Sequence, residues 1–297
     1  QRDAVAGAFA NHCRAMKTIR TIAEMRAALE PFRREGQTIA FVPTMGYLHD
    51  GHASLMRHAR ETCSVVVVSL FVNPTQFNDP ADLTAYPRNE QHDAELAAAH
   101  GVDFLFAPSA AEMYPARFAT SVMVARVTEQ LEGAARGVAH FTGVATVVAK
   151  LFNIVQPTTA IFGQKDAQQA LVIRRMVLDL DMPIRIDVCP TVREPDGLAM
   201  SSRNVRLDSA AREQALALSA ALMHAERAVA SGERDAETLL DLARDDMQSR
   251  GVHPEYLEIV TADTLAAVDQ LEGEALLAVA AYVGGVRLID NIVLRPV

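Results

Sequence analysis

Two rhythms of apolar residues alternate through the first two thirds of this chain. Ile22, Met25, Ala28 and Leu29 fall at helical spacing and Gly36 follows, which predicts a helix over 21–34. "TIAFVP" then reads as a short strand ending at Pro43, followed by a helix from about His52 to Cys63. "VVVVSLFV", Val65 to Val72, lacks alternation, the mark of a strand covered on both faces. The cycle continues with a polar loop from Asn73, a helix near Glu90 to His100 and the strand "VDFLFAP". A helix around Thr142 to Val155, the strand "TTAIFG", a helix from Gln168 to Leu180 and the strand "IRIDVCPTV" complete it. Strands alternating with helices imply crossover connections and an α/β, Rossmann-like doubly wound parallel sheet. Ligands of such sheets bind beyond the carboxyl ends of the strands. His49, His52, Asn73, Gln76 and the run Gln164 to Asp166 all follow predicted strands, so they should gather at one edge.

The pattern changes after Val192. Asp208 can cap a helix reaching Ala230, with Gly232 behind it, and a second helix near Asp235 to Arg250 stops at Gly251. "YLEIVTAD", "ALLAVAAYV" and "VRLIDNIVL" read as strands joined by short turns, Gly284 and Gly285 marking one. The expected organisation is a domain over 16–191, a smaller α+β C-terminal lid domain over 192–297, and an upstream extension over 1–15, because Met16 reads as a natural start.

Composition narrows the field. No apolar stretch reaches the roughly 18 to 20 residues of a membrane span. A formal charge of −9 argues against a general nucleic-acid binder. It leaves room for a small anionic ligand held by a few local donors. The only lysines are Lys17, Lys150 and Lys165, which makes each worth locating. Cys13, Cys63 and Cys189 are odd in number and widely spaced, which fits a reducing cytoplasm better than a disulfide framework.

Four strings carry candidate chemistry. In "PTMGYLHDGH" two imidazoles flank a helix start, where unpaired N–H groups and the macrodipole favour an anion. A surface or metal-binding histidine pair is the alternative, although no cysteine or carboxylate companions stand nearby. In "FVNPTQF" the amides of Asn73 and Gln76 suit a hydroxylated acid, while Asn-Pro is also a plain turn signal. "YPR", from Tyr86, is similarly open. "FGQKDAQQ" places Lys165 where it could neutralise phosphate charge, with Asp166 beside it; a surface ion pair of little worth is the alternative. "DGLAMSSRN" offers two hydroxyls and a guanidinium, a compact phosphate-binding set, though serine-rich loops are common.

Taken together and in this order, with "DLTAYPR" and "HFTGVATVVAKLFNIVQP" between them, the strings resemble the pantothenate synthetase (pantoate–β-alanine ligase) family of the HIGH-type nucleotidyltransferases. "MSSRN" stands where relatives carry a KMSKS-type loop. The resemblance implies a two-step ligation with Mg-ATP: pantoate attacks the α-phosphate to give pantoyl adenylate and pyrophosphate, then β-alanine displaces AMP. It implies that Met45, Gly46, Tyr47, Leu48, His49, Asp50, Gly51 and His52 bind ATP, His52 as the proton donor. It places Gly163, Gln164, Lys165 and Asp166 along the nucleotide, and Val192, Met200, Ser201, Ser202 and Arg203 over it. His49, His52, Lys165, Ser201, Ser202 and Arg203 form the implied catalytic set. Gln76 and Gln169 would hold pantoate, with Asn73 and Tyr86 as further substrate contacts and no fixed metal site on the protein. A cytoplasmic homodimer with no nucleic-acid or membrane partner completes the expectation.

Thr75 replaces the family's usual methionine, and Gln164 and Ala167 replace a glutamate and an aromatic. "ARGVAHF" departs from Arg-Pro-Gly-His-Phe and is one residue longer, which puts any role of Arg136 in question. Two rivals stand beside the ligase: another HIGH-type nucleotidyltransferase, which for tRNA would need a basic surface, and a non-catalytic nucleotide-binding protein, which would not need both Lys165 and Arg203.

Overall fold

The computed structural model describes residues 15–296. Residues 1–14, which hold most of the expected extension and Cys13, lie outside the described residues, as does Val297. In chain order the elements are β1 (Lys17–Ile19), α1 (Ile22–Arg34), β2 (Ile39–Thr44), α2 (Asp50–Thr62), β3 (Val65–Leu70), α3 (Pro80–Ala85), α4 (Glu90–Ala99) and β4 (Phe104–Phe106). There follow α5 (Ala110–Met113), α6 (Glu132–Arg136), α7 (Val138–Val155), β5 (Thr159–Gly163), α8 (Ala167–Asp179) and β6 (Arg185–Cys189). The C-terminal part is α9 (Ser209–Ala230), α10 (Ala236–Ser249), β7 (Pro254–Thr261), β8 (Ala275–Val283) and β9 (Val286–Leu294).

β1 to β6 form one parallel sheet in the order β1-β4-β3-β2-β5-β6. β2 and β3 are buried along most of their length, as the run of valines predicts. The chain steps from β2 out to β3 and β4, then returns through α7 to β5 on the other side of β2. Strand order therefore reverses between β2 and β5, and the crevice beyond their carboxyl ends is where a ligand fits. β7, β8 and β9 form a separate antiparallel sheet, packed with α9 and α10 around Leu218, Leu222, Leu239 and Leu277. The two cores are not isolated, because Val260, Leu265, Leu276 and Ala278 join the apolar cluster of the parallel sheet.

Several boundaries differ from the sequence reading for local reasons. α2 begins at Asp50 rather than His52, because His49 is its N-cap. α7 begins at Val138 rather than Thr142, entered through Gly137 at φ 81°. It is apolar and long enough to cross a membrane, with a mean hydropathy of 1.6, yet 67% of it is buried inside the protein, as befits a helix between a sheet and its flanking layer. β3 stops at Leu70, and a single 3₁₀ turn, Pro74–Gln76, replaces the expected open loop. β1 and the short helices α3, α5 and α6 give too few periodic positions to be read from the chain.

The 3₁₀ turn carrying Gln76 lies directly on α7 at Gly143. A Cβ there would stand 2.5 Å from the Thr75 carbonyl oxygen and 2.8 Å from the Gln76 nitrogen. Backbone cannot give way as a side chain can. Gly143→Ala is expected to lower stability by about 1–3 kcal/mol, in the range of an overpacked core. Chemical denaturation measures it, and an unchanged midpoint would contradict the packing described.

Candidate active site

The first wall of the crevice is the loop from β2 into α2. Thr44 Oγ1 accepts the Gly46 N–H, and Gly46 turns the chain at φ 86°. Tyr47 follows at φ 53°, a left-handed conformation that a non-glycine residue holds only when its surroundings impose it. The surroundings are Asp93, a carboxylate on α4 that is 2% exposed. It accepts the Tyr47 N–H at 2.8 Å and the Leu48 N–H at 2.6 Å. The loop thus has a fixed shape before any ligand arrives.

That shape sets the histidines. His49 Nδ1 accepts the Gly51 N–H at 3.2 Å, and His52 Nδ1 accepts the His49 N–H at 3.3 Å. A backbone N–H can only donate, so each Nδ1 is an acceptor and each neutral ring carries its proton on Nε2. The rings lie 4.1 Å apart between centroids. Burial, then the Lys165 charge, holds His49 down to about 4; burial, then His49 and Lys165, holds His52 down to about 3. At neutral pH the pair is uncharged and offers two N–H donors beside the N-terminus of α2.

β5 brings the opposite wall. Gly163 ends the strand, and the turn Gln164–Asp166 follows with Lys165 Nζ 3.8 Å from Asp166 Oδ1. Asn291 on β9 clamps this turn: its Nδ2 donates to the Gln164 and Lys165 carbonyls at 3.0 and 2.8 Å, and its Oδ1 accepts from Gln164 Nε2 at 3.0 Å. The third wall is the Met200–Arg203 loop. Tyr86 Oη lies 3.4 Å from Ser202 Oγ, and Arg203 Nη2 lies 3.4 Å from Asp82 Oδ2.

These walls enclose an open cleft, the kind of concave, partly apolar site in which small ligands bind. Met45, His49, Gly51, His52, Gly163, Lys165, Asp166, Val192, Met200, Ser201, Ser202 and Arg203 line it, as do Asn73, Gln76, Tyr86 and Gln169. Gly46, Tyr47, Leu48, Asp50 and Gln164 do not. Leu48 is buried in the core, Asp50 is exposed on the outside of α2, and the Gln164 amide faces Asn291. Asn73 also departs from expectation. It is 1% exposed; its Nδ2 donates to Gln76 Oε1 and the Gly143 carbonyl, while its Oδ1 accepts from Tyr114 Oη and Thr75 Oγ1. With that amide engaged within the protein, Asn73 orients Gln76 at the cleft wall. Gln76 Nε2 points toward Met45 Sδ, 3.3 Å away, so the amide offers its N–H side to the cleft.

Residues 17–293 match the family model described as Pantoate-beta-alanine ligase. The chain belongs to the pantoate–β-alanine ligase family. It is 54% identical to Pantothenate synthetase 1 of Bradyrhizobium diazoefficiens, over 94% of this chain and 98% of that one. It is also similar to the crystal structure of pantothenate synthetase from Thermus thermophilus, at a TM-score of 0.90 and 44% identity, over 95% of this chain and 100% of that one. The pantoate–β-alanine ligase of Francisella tularensis, complexed with β-γ ATP and β-alanine, matches at a TM-score of 0.78 and 36% identity, over 94% of this chain and 97% of that one.

Against this ligase frame, the residues that sequence reasoning missed are those acting through others. Asp93 sits in phase with buried Ala97 on α4, and a charge on an apolar face was the available signal. Asn291, and Asp290 with its ion pair to Arg193 at 2.6 Å, lie inside what reads only as a C-terminal strand. Nothing local in the sequence connects them to Lys165.

Asp93→Ala strands two N–H groups, each worth about 1–3 kcal/mol when buried without a partner. A lower melting temperature together with loss of nucleotide binding is expected, and unaltered binding would show that the loop does not depend on this carboxylate. The histidines make a pH prediction. Their folded pKa values lie below the unfolded 6.5, so below that pH the unfolded chain binds more protons and stability falls toward pH 4. Replacing both by Asn should flatten urea midpoints across this window; a slope equal to the parent's refutes the neutral assignment.

Proposed function

We propose that this chain joins pantoate to β-alanine with ATP through a pantoyl adenylate, releasing pyrophosphate and then AMP. What carries the reading is the convergence in one cleft of the His49–His52 donors, Lys165, the Ser201–Arg203 loop and two amides, Gln76 and Gln169. Thr191, a residue of the same cleft wall, has its Oγ1 buried without a hydrogen-bond partner among the described residues.

A carboxylate resists attack by an amine, whereas a mixed anhydride with phosphate carries a good leaving group. The first step therefore needs the pantoate carboxylate held in line with the α-phosphate, which is a matter of positioning and charge. Gln76, locked by Asn73, and Gln169 hold the acid. Gln168, its neighbour, has a different task, bonding to the Val127 and Gln130 carbonyls and the Glu132 N–H. Lys165 meets the negative charge that builds on the transferring phosphate. His49 and His52 donate Nε2–H to phosphate oxygens as neutral rings, and an anion at that distance raises their pKa, so that His52 can also carry a proton. Arg203 exchanges its contact with Asp82 for the nucleotide as the loop closes.

Magnesium arrives with the triphosphate and neutralises part of its charge; the half-exposed Asp166 carboxylate is the kind of oxygen ligand it accepts. The division at 191/192 into a nucleotide domain and a lid is part of the same reading, favoured by the separate C-terminal sheet. A homodimer is supported by β6, which forms one edge of the parallel sheet, and by exposed Leu178 and Leu180 at the end of α8 next to it. Buried, unpaired Cys63 and Cys189 suit the reducing cytoplasm.

The decisive assay supplies ATP, magnesium and pantoate and follows pyrophosphate, then AMP on addition of β-alanine. Pantoate-dependent pyrophosphate is expected, and its absence removes the proposal. Lys165→Ala should slow this release by about 10²-fold or more, the scale of losing one preorganised electrostatic contact; turnover within a few-fold of the parent would strip Lys165 of its role.

A further inference from the structure

Charged groups around the cleft pair among themselves. Arg287 gives both Nη atoms to Glu132, at 2.8 and 2.7 Å, and Arg193 is bound to Asp290. The Gln76 amide is held instead by a chain of neutral bonds that begins outside the cleft, and that chain has a fixed polarity. The Gly143 carbonyl can only accept, so Asn73 turns its Nδ2 toward it, at 3.1 Å, and the same nitrogen donates to Gln76 Oε1 at 3.0 Å. Gln76 keeps its N–H group for the cleft, where an oxygen of the acid can accept it.

Asn73 holds this pose because its other end is held as well. Its Oδ1 accepts from Tyr114 Oη at 2.7 Å and from Thr75 Oγ1 at 2.9 Å, while the Thr75 N–H stands further off at 3.4 Å. A carbonyl oxygen has two lone pairs, and the two hydroxyls take them. Tyr114 follows α5 and does not line the cleft. Its ring sits 6.1 Å from Phe71 and edge-on to Phe118 at 5.1 Å, and Lys150 Nζ lies 4.7 Å over the Phe118 ring. Lys150 therefore serves the packing behind the site. Burial pushes the Tyr114 phenol up, against the opposing bond from Thr75, so the donor keeps its proton.

We propose that Tyr114 and Thr75 are positioning residues for the acid substrate, two overlapping hydroxyl donors that keep Asn73, and through it the Gln76 N–H, aimed into the cleft; this rests on the ligase reading above. Either hydroxyl alone leaves Asn73 Oδ1 with a close donor. Without both, only the longer Thr75 N–H contact remains at that end, and the amide can swing away from Gln76.

The test follows pyrophosphate release with ATP, magnesium and pantoate, first in the parent. Tyr114→Phe and Thr75→Val keep the shape of each side chain, and each should raise the pantoate KM about 3-fold, the scale of one net hydrogen bond. The double variant should raise it about 30- to 100-fold, beyond the product of the singles, as expected of residues that share a partner, with the ATP KM moving less than about 2-fold. Tyr114→Phe combined with Thr75→Ser returns one hydroxyl and should bring the pantoate KM back to the level of Tyr114→Phe alone. A pantoate KM unshifted in the single variants, or no larger in the double variant than the product of the singles, overturns the proposal. So does a parallel rise in the ATP KM, or a failure of serine to restore binding, since either would reduce the pair to packing. Absence of pantoate-dependent pyrophosphate in the parent would instead remove the ligase reading, and this assignment with it.

Discussion

A buried carboxylate on one helix fixes the backbone of a loop from another element, and the chemistry of the site follows from that constraint. Asp93 holds the Tyr47 and Leu48 N–H groups, which keeps Tyr47 left-handed and determines where α2 starts. The start of α2 makes His49 a cap and puts His52 in its first turn, and their mutual bonds then dictate which ring nitrogen bears hydrogen. From the carboxylate to the imidazole nitrogens, each step is a hydrogen bond or a backbone torsion. Rigid supports of this kind hold a charged substrate without reorganisation during reaction.

Much of this was legible in the chain because periodicity and breaker residues speak locally. The unbroken valines of β3, the strand–glycine–lysine order around Gly163 and the Asp208 cap of α9 each state their own structure. So did the gathering of His49, His52, Gln76 and Lys165, since a doubly wound sheet brings the carboxyl ends of its strands together. What stayed hidden depends on partners distant in sequence. Asn73 resembles a ligand-binding amide, and only the approach of Tyr114 and Gly143 reveals that its hydrogen bonds are already made. Glu132 and Arg287 lie 155 positions apart, and no spacing rule links them.

The two glutamines after Asp166 show how a helix separates roles. Gln168 and Gln169 are adjacent, so about 100° of helical turn lies between them. One faces the loop before α6 and the other faces the cleft. Identity alone could not distinguish them; their phase relative to the sheet does.

Asn291 has a wider consequence. By gripping the Gln164 and Lys165 carbonyls, it makes the cationic wall of the cleft mechanically continuous with β9. The backbone that presents Lys165 is thus braced by residues more than a hundred positions further along the chain, so a disturbance of β9 is felt at the cleft wall without touching it.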